Sequence, residues 1–199
     1  MTVSRHFRRA FAACLLGLLA LAVGPAAAGA VQPVGDPNNV PDFGQFDSFP
    51  AVVDDYTRVS VHAFAPDMSD FSIGYNARGP ALASTVTLYF YPRRLDKTAQ
   101  ARDEERQVLQ AHPGGRVVDR RTITLTHGTQ SHEATLVTYA FDGDFDRVPQ
   151  PLASQQLLVF RDKGIFMVRS TAPQAQAAAA ERAMLALVQR VDWESVADR

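Results

Sequence analysis

Three carboxylates stand at alternate positions in the segment 142–146, just after a stretch with strand periodicity. Oxygen ligands with this spacing can wrap a calcium ion. An EF-hand loop needs glycine at its sixth position and glutamate at its twelfth, whereas this chain has Arg147 and Ala153 there. The sequence therefore predicts either an irregular calcium site formed by Asp142, Asp144 and Asp146, or a solvated loop at the end of a hairpin.

Two histidines flank a predicted four-residue turn at 128–131. In that register His127 and His132 lie directly opposite each other, where two imidazoles can share a zinc or copper ion. Two ligands do not complete a structural zinc site, so the alternative is a pair of polar residues near a strand end. Ser131 and Glu133 flank His132, but neighbours on a strand point to opposite sides and cannot form a relay. We expect no catalytic residue.

Two arginine pairs are the remaining candidates for a site. Arg93-Arg94 precede a predicted helix, and Arg120-Arg121 lie on a predicted strand. Paired guanidinium groups bind phosphates or carboxylates through bidentate hydrogen bonds, which suits an anionic glycan or lipid. The alternative is that they form ion pairs with nearby acids such as Asp119.

The elements that position these residues begin after Arg58, where apolar residues alternate with polar ones in segments 59–65, 71–75 and 85–91. This period predicts three successive strands. Asp96 is a good N-cap for a helix from Lys97 to Ala111, which contains no Gly or Pro. Its middle is fully charged, so we expect only a thin apolar stripe, formed by Leu95, Ala99, Val108 and Leu109, and a mostly wet helix.

Two hairpins and a second helix complete the pattern. Segments 116–126 and 132–141 pair with Ile123 opposite Leu136, and segments 155–161 and 165–171 form the second hairpin. A helix is predicted from Pro173 to Val191, with Trp193 closing the edge of the domain. Hairpins with two separate helices indicate an α+β fold, an antiparallel sheet of about six to seven strands with two helices packed on it.

This order of elements resembles the PsbP-like α/β/α sandwich. The segment Leu157–Pro173, with the sequence Leu-Leu-Val-Phe-Arg-Asp-Lys-Gly-Ile-Phe-Met-Val-Arg-Ser-Thr-Ala-Pro, is similar to the final hairpin of that group as it enters the last helix. The resemblance covers about residues 55–193. It implies a protein that binds or organises other proteins without catalysing a reaction.

The N-terminus has the pattern of an export signal. Arg5, Arg8 and Arg9 form a basic region, an apolar stretch runs from 10 to 23, and small residues at 26–30 suit signal peptidase. We predict a signal peptide over 1–30 and a mature protein in the periplasm or secreted, with no membrane span after cleavage. The Arg8-Arg9 pair also fits a twin-arginine signal, so both the Sec and the Tat export routes stay open.

Residues 31–57 are rich in Pro and Gly and are predicted to be an N-terminal arm, followed by one α+β domain over 58–199. Phe43, Phe46 and Phe49 repeat every third residue and either pack on the domain's own core or dock on a partner. Removing the leader leaves 17 basic and 21 acidic residues, a net charge of −4. This balance argues against a nucleic-acid partner.

The leader also contains Cys14, the one cysteine of the chain, so the mature protein has no thiol for catalysis or for a metal. We expect an exported, non-enzymatic binding or accessory protein of the bacterial cell envelope, which binds an unidentified envelope protein or small ligand and needs no cofactor. The alternative is a metal-binding protein or a metal-dependent hydrolase that uses His127 and His132.

Overall fold

A computed structural model describes residues 48–65, 67–162 and 164–197; the predicted leader, Phe43 and Phe46 lie outside these ranges. The described residues form one sheet of eight strands in the order β1-β2-β3-β4-β8-β7-β6-β5, and every neighbouring pair is antiparallel. The strands are β1 (Val52–Val53), β2 (Tyr56–Ala63), β3 (Phe71–Arg78), β4 (Ala83–Pro92), β5 (Arg116–His127), β6 (Gln130–Phe145), β7 (Val148–Phe160) and β8 (Gly164–Pro173).

Three α-helices accompany the sheet in the described ranges: α1 (Lys97–Ala111), α2 (Ala177–Arg190) and the short α3 (Glu194–Ala197). The prediction for α1 is confirmed, because the Asp96 carboxylate accepts a hydrogen bond from the Ala99 N–H at 2.9 Å. α2 begins later than predicted, since β8 continues to Pro173 and a 3-10 turn follows it. Among the described residues, no helix has the length and apolarity that a membrane span requires.

The antiparallel α+β architecture is confirmed, with more strands and one more helix than expected. The additional strand β1 has only two residues and precedes the alternating region. β6 and β7 are longer than predicted, at 16 and 13 residues, because their hairpin continues beyond the end of β8. The sequence does not predict this strand, because two residues are too few to show alternation and the segment around them is rich in Pro and Gly.

The central strands are buried on both faces of the sheet. Along β7 and β8, Leu157 and Val168 pack on one side, whereas Leu158 and Met167 pack on the other. α2 covers the first side, here called the α2 face, and α1 covers the second, called the α1 face. Strands covered on both sides carry continuous apolar runs such as 157–160 and 165–168, because neither face tolerates polar residues without partners.

The core of the α2 face is apolar and aromatic. The stripe of α2 buries the residues that its period predicts, Ala180, Met184, Leu187 and Val188. Phe90 stacks between Phe71 and Phe166, with ring centroids 4.6 Å and 5.0 Å apart, and Trp193 stacks on the other end of Phe166 at 4.6 Å. Such offset pairs add about 0.5–1.5 kcal/mol each to the free energy of burial.

The beginning of the described chain is tied to its end. The Phe49 ring is fully buried and meets Phe90 edge-on at 5.5 Å. Arg58 donates to the Phe49 carbonyl at 2.6 Å, and the Asp192 N–H donates to the Ser48 carbonyl at 2.9 Å. For Phe49, packing on the domain's own core is therefore the correct interpretation of the phenylalanine repeat.

We predict that Phe49→Ala lowers the free energy of unfolding by about 3–5 kcal/mol, because it removes a fully buried ring from a packed aromatic row. Urea denaturation measures the change. Val52→Ala, at a side chain that is 62% exposed three residues later, is the matched control and should stay within about 0.5 kcal/mol of the parent. Equal, small effects of the two substitutions would contradict the placement of Phe49 in the core.

Candidate functional site

The β5–β6 hairpin closes on a two-residue turn, Gly128-Thr129, and not on the four-residue turn that the sequence predicted. His127 pairs with Gln130, and His132 pairs with Leu125, so the predicted register is wrong by two residues. Gly128 has φ of 55°, the left-handed conformation that this kind of tight turn requires at its first position. His127 and His132 are consequently diagonal neighbours, both on the α2 face.

Glu194, the first residue of α3, brings the two histidines together. Its Oε1 is hydrogen bonded to Nε2 of His132, and its Oε2 lies 3.8 Å from Nδ1 of His127. The three side chains are between 16% and 19% exposed, so this cluster is partly shielded from water. Sequence analysis missed Glu194 because 61 residues separate it from His132 and no local pattern links them.

The ring of Trp193 packs beneath this histidine cluster. Trp193 is fully buried, with the ring of His132 at 5.0 Å and that of His127 at 5.7 Å between centroids. The guanidinium carbon of Arg161 lies 5.5 Å from the Trp193 ring centroid. The indole Nε1 of Trp193 has no hydrogen-bond partner among the described residues. Buried N–H groups usually have a hydrogen-bond partner, so the indole N–H of Trp193 makes this end of the core polar.

The predicted aspartates occupy the opposite end of β6. Asp142 and Asp144 are exposed side chains within the strand, which corrects the expected loop, and Asp146 begins a turn with Arg147. Both turn residues have positive φ, 52° and 67°, as in a type I′ hairpin turn. The Asp146 carboxylate forms an ion pair with Nε of Arg78 at 3.4 Å.

The predicted metal ligands cannot form one common site. Asp142 lies ten residues beyond His132 on the same strand, a separation of about 33 Å at the usual rise per residue. The structure unites His127 with His132 but leaves both far from the aspartates. Among the described residues there is no group of three or more His, Cys, Asp or Glu side chains that could hold a metal ion. A metal at either end stays a prediction.

The arginine pair on β5 connects the edge strand to both helices. Arg120 is paired with Glu105 of α1, and Arg121 with Asp119 and with Glu181 of α2. Adjacent residues on a strand point to opposite faces, so one pair serves both sides of the sheet. The ion-pair alternative is thus correct for Arg120 and Arg121. Arg93 and Arg94 are exposed at the approach to α1.

A polar network that the sequence did not reveal lies between α1 and the sheet. Glu104 is fully buried, and its Oε1 accepts hydrogen bonds from the Tyr91 hydroxyl and from Nε2 of Gln100, both at 2.7 Å. Gln100, Glu104 and Val108 are the buried stripe of α1, spaced by four residues. The prediction of a thin apolar stripe is therefore wrong at the centre of α1, where Glu104, one residue of the charged run, faces the sheet.

The electrostatics of this network favour a neutral acid. Burial raises the pKa of Glu104 above its usual 4.5, and the hydrogen bonds from Tyr91 and Gln100 oppose that rise. Burial and the neighbouring Glu104 together raise the pKa of Tyr91 well above its ordinary value. Glu104 Oε2 and Gln100 Oε1 are both buried acceptors without a partner among the described residues. A proton on Oε2 would turn that acceptor into a donor.

The network continues across the α1 face of the sheet. The Tyr139 hydroxyl donates to Gln156 Oε1 at 2.8 Å, and Gln156 Nε2 approaches the sulfur of Met167 at 3.2 Å. At its far end, Nη2 of Arg169 lies 3.0 Å from Nε2 of His112. Burial and the Arg169 charge lower the pKa of His112 to about 4, so this imidazole is a neutral acceptor. The network joins α1 and the segment after it to the sheet.

Comparisons with known proteins find similar solved structures, and two of them are PA94 and LpqN. No family model and no curated protein sequence matches the chain. PA94 of Pseudomonas aeruginosa, a protein of unknown function, is 20% identical over 60% of this chain and 79% of its own, with a TM-score of 0.42. LpqN of Mycobacterium tuberculosis, involved in cell envelope biogenesis, is 14% identical over 71% of this chain and 77% of its own, with a TM-score of 0.38. The resemblance to the PsbP-like sandwich stays a prediction.

We predict that Glu104→Gln becomes progressively more stable than the parent as pH rises. Because the folded-state pKa is raised, the stabilising contribution of Glu104 in the parent is fully present only below about pH 4.5. This contribution is lost as pH rises through the folded-state pKa. The loss has a limiting slope of about 1.4 kcal/mol per pH unit for one proton. The amide lacks this titration and keeps an oxygen that can accept the hydrogen bonds of Tyr91 and Gln100. Urea denaturation from pH 4 to pH 8 measures the difference.

Glu105→Gln is the matched control, because Glu105 is the next residue of α1 and forms a partly exposed ion pair with Arg120. Its effect on the free energy of unfolding should be small and nearly constant above pH 6. Parallel pH profiles for Glu104→Gln and the parent would show that Glu104 does not titrate on unfolding.

Proposed function

We propose that this protein is an exported, non-enzymatic binding or accessory protein of the bacterial cell envelope. The leader pattern over residues 1–30 supports export, because a basic region, a short apolar stretch and small residues follow one another as signal peptidase substrates require. The mature charge of −4 suits a protein whose partners are not nucleic acids.

The proposal rests on one observation: the side chains best suited to chemistry already form hydrogen bonds or ion pairs within the fold. These groups are bound in pairs or triplets, His132 with Glu194, Glu104 with Tyr91 and Gln100, Arg121 with Asp119 and Glu181, Arg169 with His112, and Asp146 with Arg78. Catalytic bases and nucleophiles are also held by partners, but most of these pairs join separate elements of the fold to one another, chiefly helix to sheet. These partnerships stabilise a scaffold, which favours binding over catalysis.

A surface for a partner lies where β5 and β6 extend past α1. On the α1 side of the sheet this threonine face presents five exposed polar residues, Thr122, Thr124, Thr126, Ser131 and Glu133. Their hydroxyls alternate along two paired strands, so they form a flat array of donors and acceptors. Polar, hydrated surfaces of this kind bind through direct and water-mediated hydrogen bonds. The threonine face is therefore the surface that we assign to the envelope partner.

A photo-cross-linking side chain at position 133 tests this proposal in cells that make the protein with its own leader. We expect an adduct in the envelope fraction whose mass differs from that of two copies of the chain. The matched control places the same side chain at Arg182, which is exposed on α2 on the other side of the sheet, and should give little adduct. Adducts of equal yield at both positions, or at neither, would count against a specific partner on this face.

The alternative from the sequence is a metal-binding protein or metal-dependent hydrolase that uses His127 and His132, which lie beside the one carboxylate of Glu194. For that function, titration calorimetry with zinc should give one ion per chain, and His132→Ala should weaken binding at least tenfold. His62→Ala, on β2 at the other side of the sheet, is the control and should bind zinc like the parent. A parent protein that takes up no zinc would exclude this alternative and leave the binding protein.

A further inference from the structure

β5 is an edge of the sheet, and among the described residues only β6 pairs with it. Its 12 residues span about 40 Å, far longer than the two-residue β1 at the opposite edge. The strand next to β1 carries a bulge between Arg58 and Ser60, a feature that blunts an edge. β5 has the corresponding bulge only at its start, between Val117 and Asp119.

The hairpin register shows which backbone groups of β5 point outward. A two-residue turn is closed by a hydrogen bond from the Gln130 N–H to the His127 carbonyl, and hydrogen-bonded pairs then alternate along an antiparallel ladder. Odd-numbered residues from 119 to 127 therefore direct their backbone groups to β6. The even-numbered residues Arg120, Thr122, Thr124 and Thr126 direct theirs to the free side.

Within the part of the chain that the structure describes, the second half of this edge lacks the usual protection. Residues 122–126 read Thr-Ile-Thr-Leu-Thr, which has high strand propensity and contains neither charge nor proline. Proteins normally guard such a segment with Lys, Pro, a bulge or a covering element. A row of outward N–H and C=O groups on an unguarded strand is a template for another strand.

We propose that the occupant of this edge is a second copy of the same chain, paired antiparallel through β5 about a twofold axis at Ile123. This register pairs Thr122 with Thr124 of the second copy through the outward backbone groups. It also sets Asp119 opposite His127 of the second copy, and no two like charges face each other. A twofold axis at Arg120 or Arg121 would oppose identical guanidinium groups, which is unfavourable.

The proposed pairing also limits the assembly to two copies of the chain. One twofold contact consumes both β5 edges and joins the two sheets into one of sixteen strands, bounded on each side by the short β1. A closed, isologous contact of this kind gives a dimer and no larger polymer. This inference does not rest on the proposed function, since it concerns only the chain's pairing with itself.

Sedimentation equilibrium of the purified protein after signal cleavage tests the dimer. We expect twice the monomer mass for the parent and for Thr124→Ala, which keeps the backbone N–H. Thr124→Pro removes an outward donor without touching the β5–β6 ladder, and by symmetry it removes it twice, so the dissociation constant should rise about 30-fold or more. A monomeric parent at micromolar concentration, or a Thr124→Pro variant that dimerises like the parent, would overturn the proposal.

A second variant keeps the test independent of any folding defect caused by proline. Ile123→Cys introduces one cysteine into a mature chain that has none, at the position that faces itself across the twofold axis. Opposed residues in such a pair have Cα atoms about 4.5–5.5 Å apart, which suits a disulfide. Oxidation should cross-link this variant but not Gln189→Cys, an exposed position on α2. Failure to cross-link, or equal cross-linking of the control, contradicts the register.

Discussion

The burial of the central strands on both faces is the constraint on which the rest of this structure depends. β4, β8 and β7 carry apolar residues to both sides, so each side needs a covering layer. α2 provides one layer through an apolar stripe, and α1 provides the other through Gln100 and Glu104. The two layers differ, since the α2 face is one apolar and aromatic core whereas the α1 face combines two smaller apolar clusters with the buried hydrogen bonds of Glu104.

That difference decides where polar chemistry resides in the molecule. A carboxyl group buried under α1 must be neutral or well bonded, because an isolated charge is very costly in an apolar interior. Glu104 meets this condition through Tyr91 and Gln100 and through burial that favours its protonated form. On the α2 face, one polar group is the cluster in which Glu194 holds the two histidines above Trp193, and another is the buried pair Ser84 and Ser170.

The same constraint separates the scaffold from the surfaces that remain for other molecules. Because α1 covers only part of its face, the outer strands β5 and β6 continue beyond it and expose the threonine face. The free side of β5 is a different surface, formed by backbone groups in the plane of the sheet. A partner on the threonine face would contact side chains, whereas a second copy on the β5 edge would pair with backbone groups in the plane of the sheet. The two therefore do not compete for the same groups.

The sequence by itself determined the element types and the antiparallel α+β class. Hydrophobic alternation, the Asp96 cap and the apolar runs at 157–160 and 165–168 are local signals, and the structure agrees with them. The leader and the phenylalanines before residue 48 are also sequence inferences, and the described residues do not include them. For Phe49, the pattern left packing and docking open, and the structure places the ring in the core.

Only the tertiary structure decided the register of the β5–β6 hairpin, because apolar positions coincide equally well when the pairing shifts by two residues. It also decided the partners of the chemical residues. Glu194 contacts the histidines although it lies far from them in sequence. Glu104 contacts Tyr91 because its face of α1, among several charged positions, is the one that packs on the sheet. Local periodicity contains no information on such contacts, since they depend on how separate elements pack.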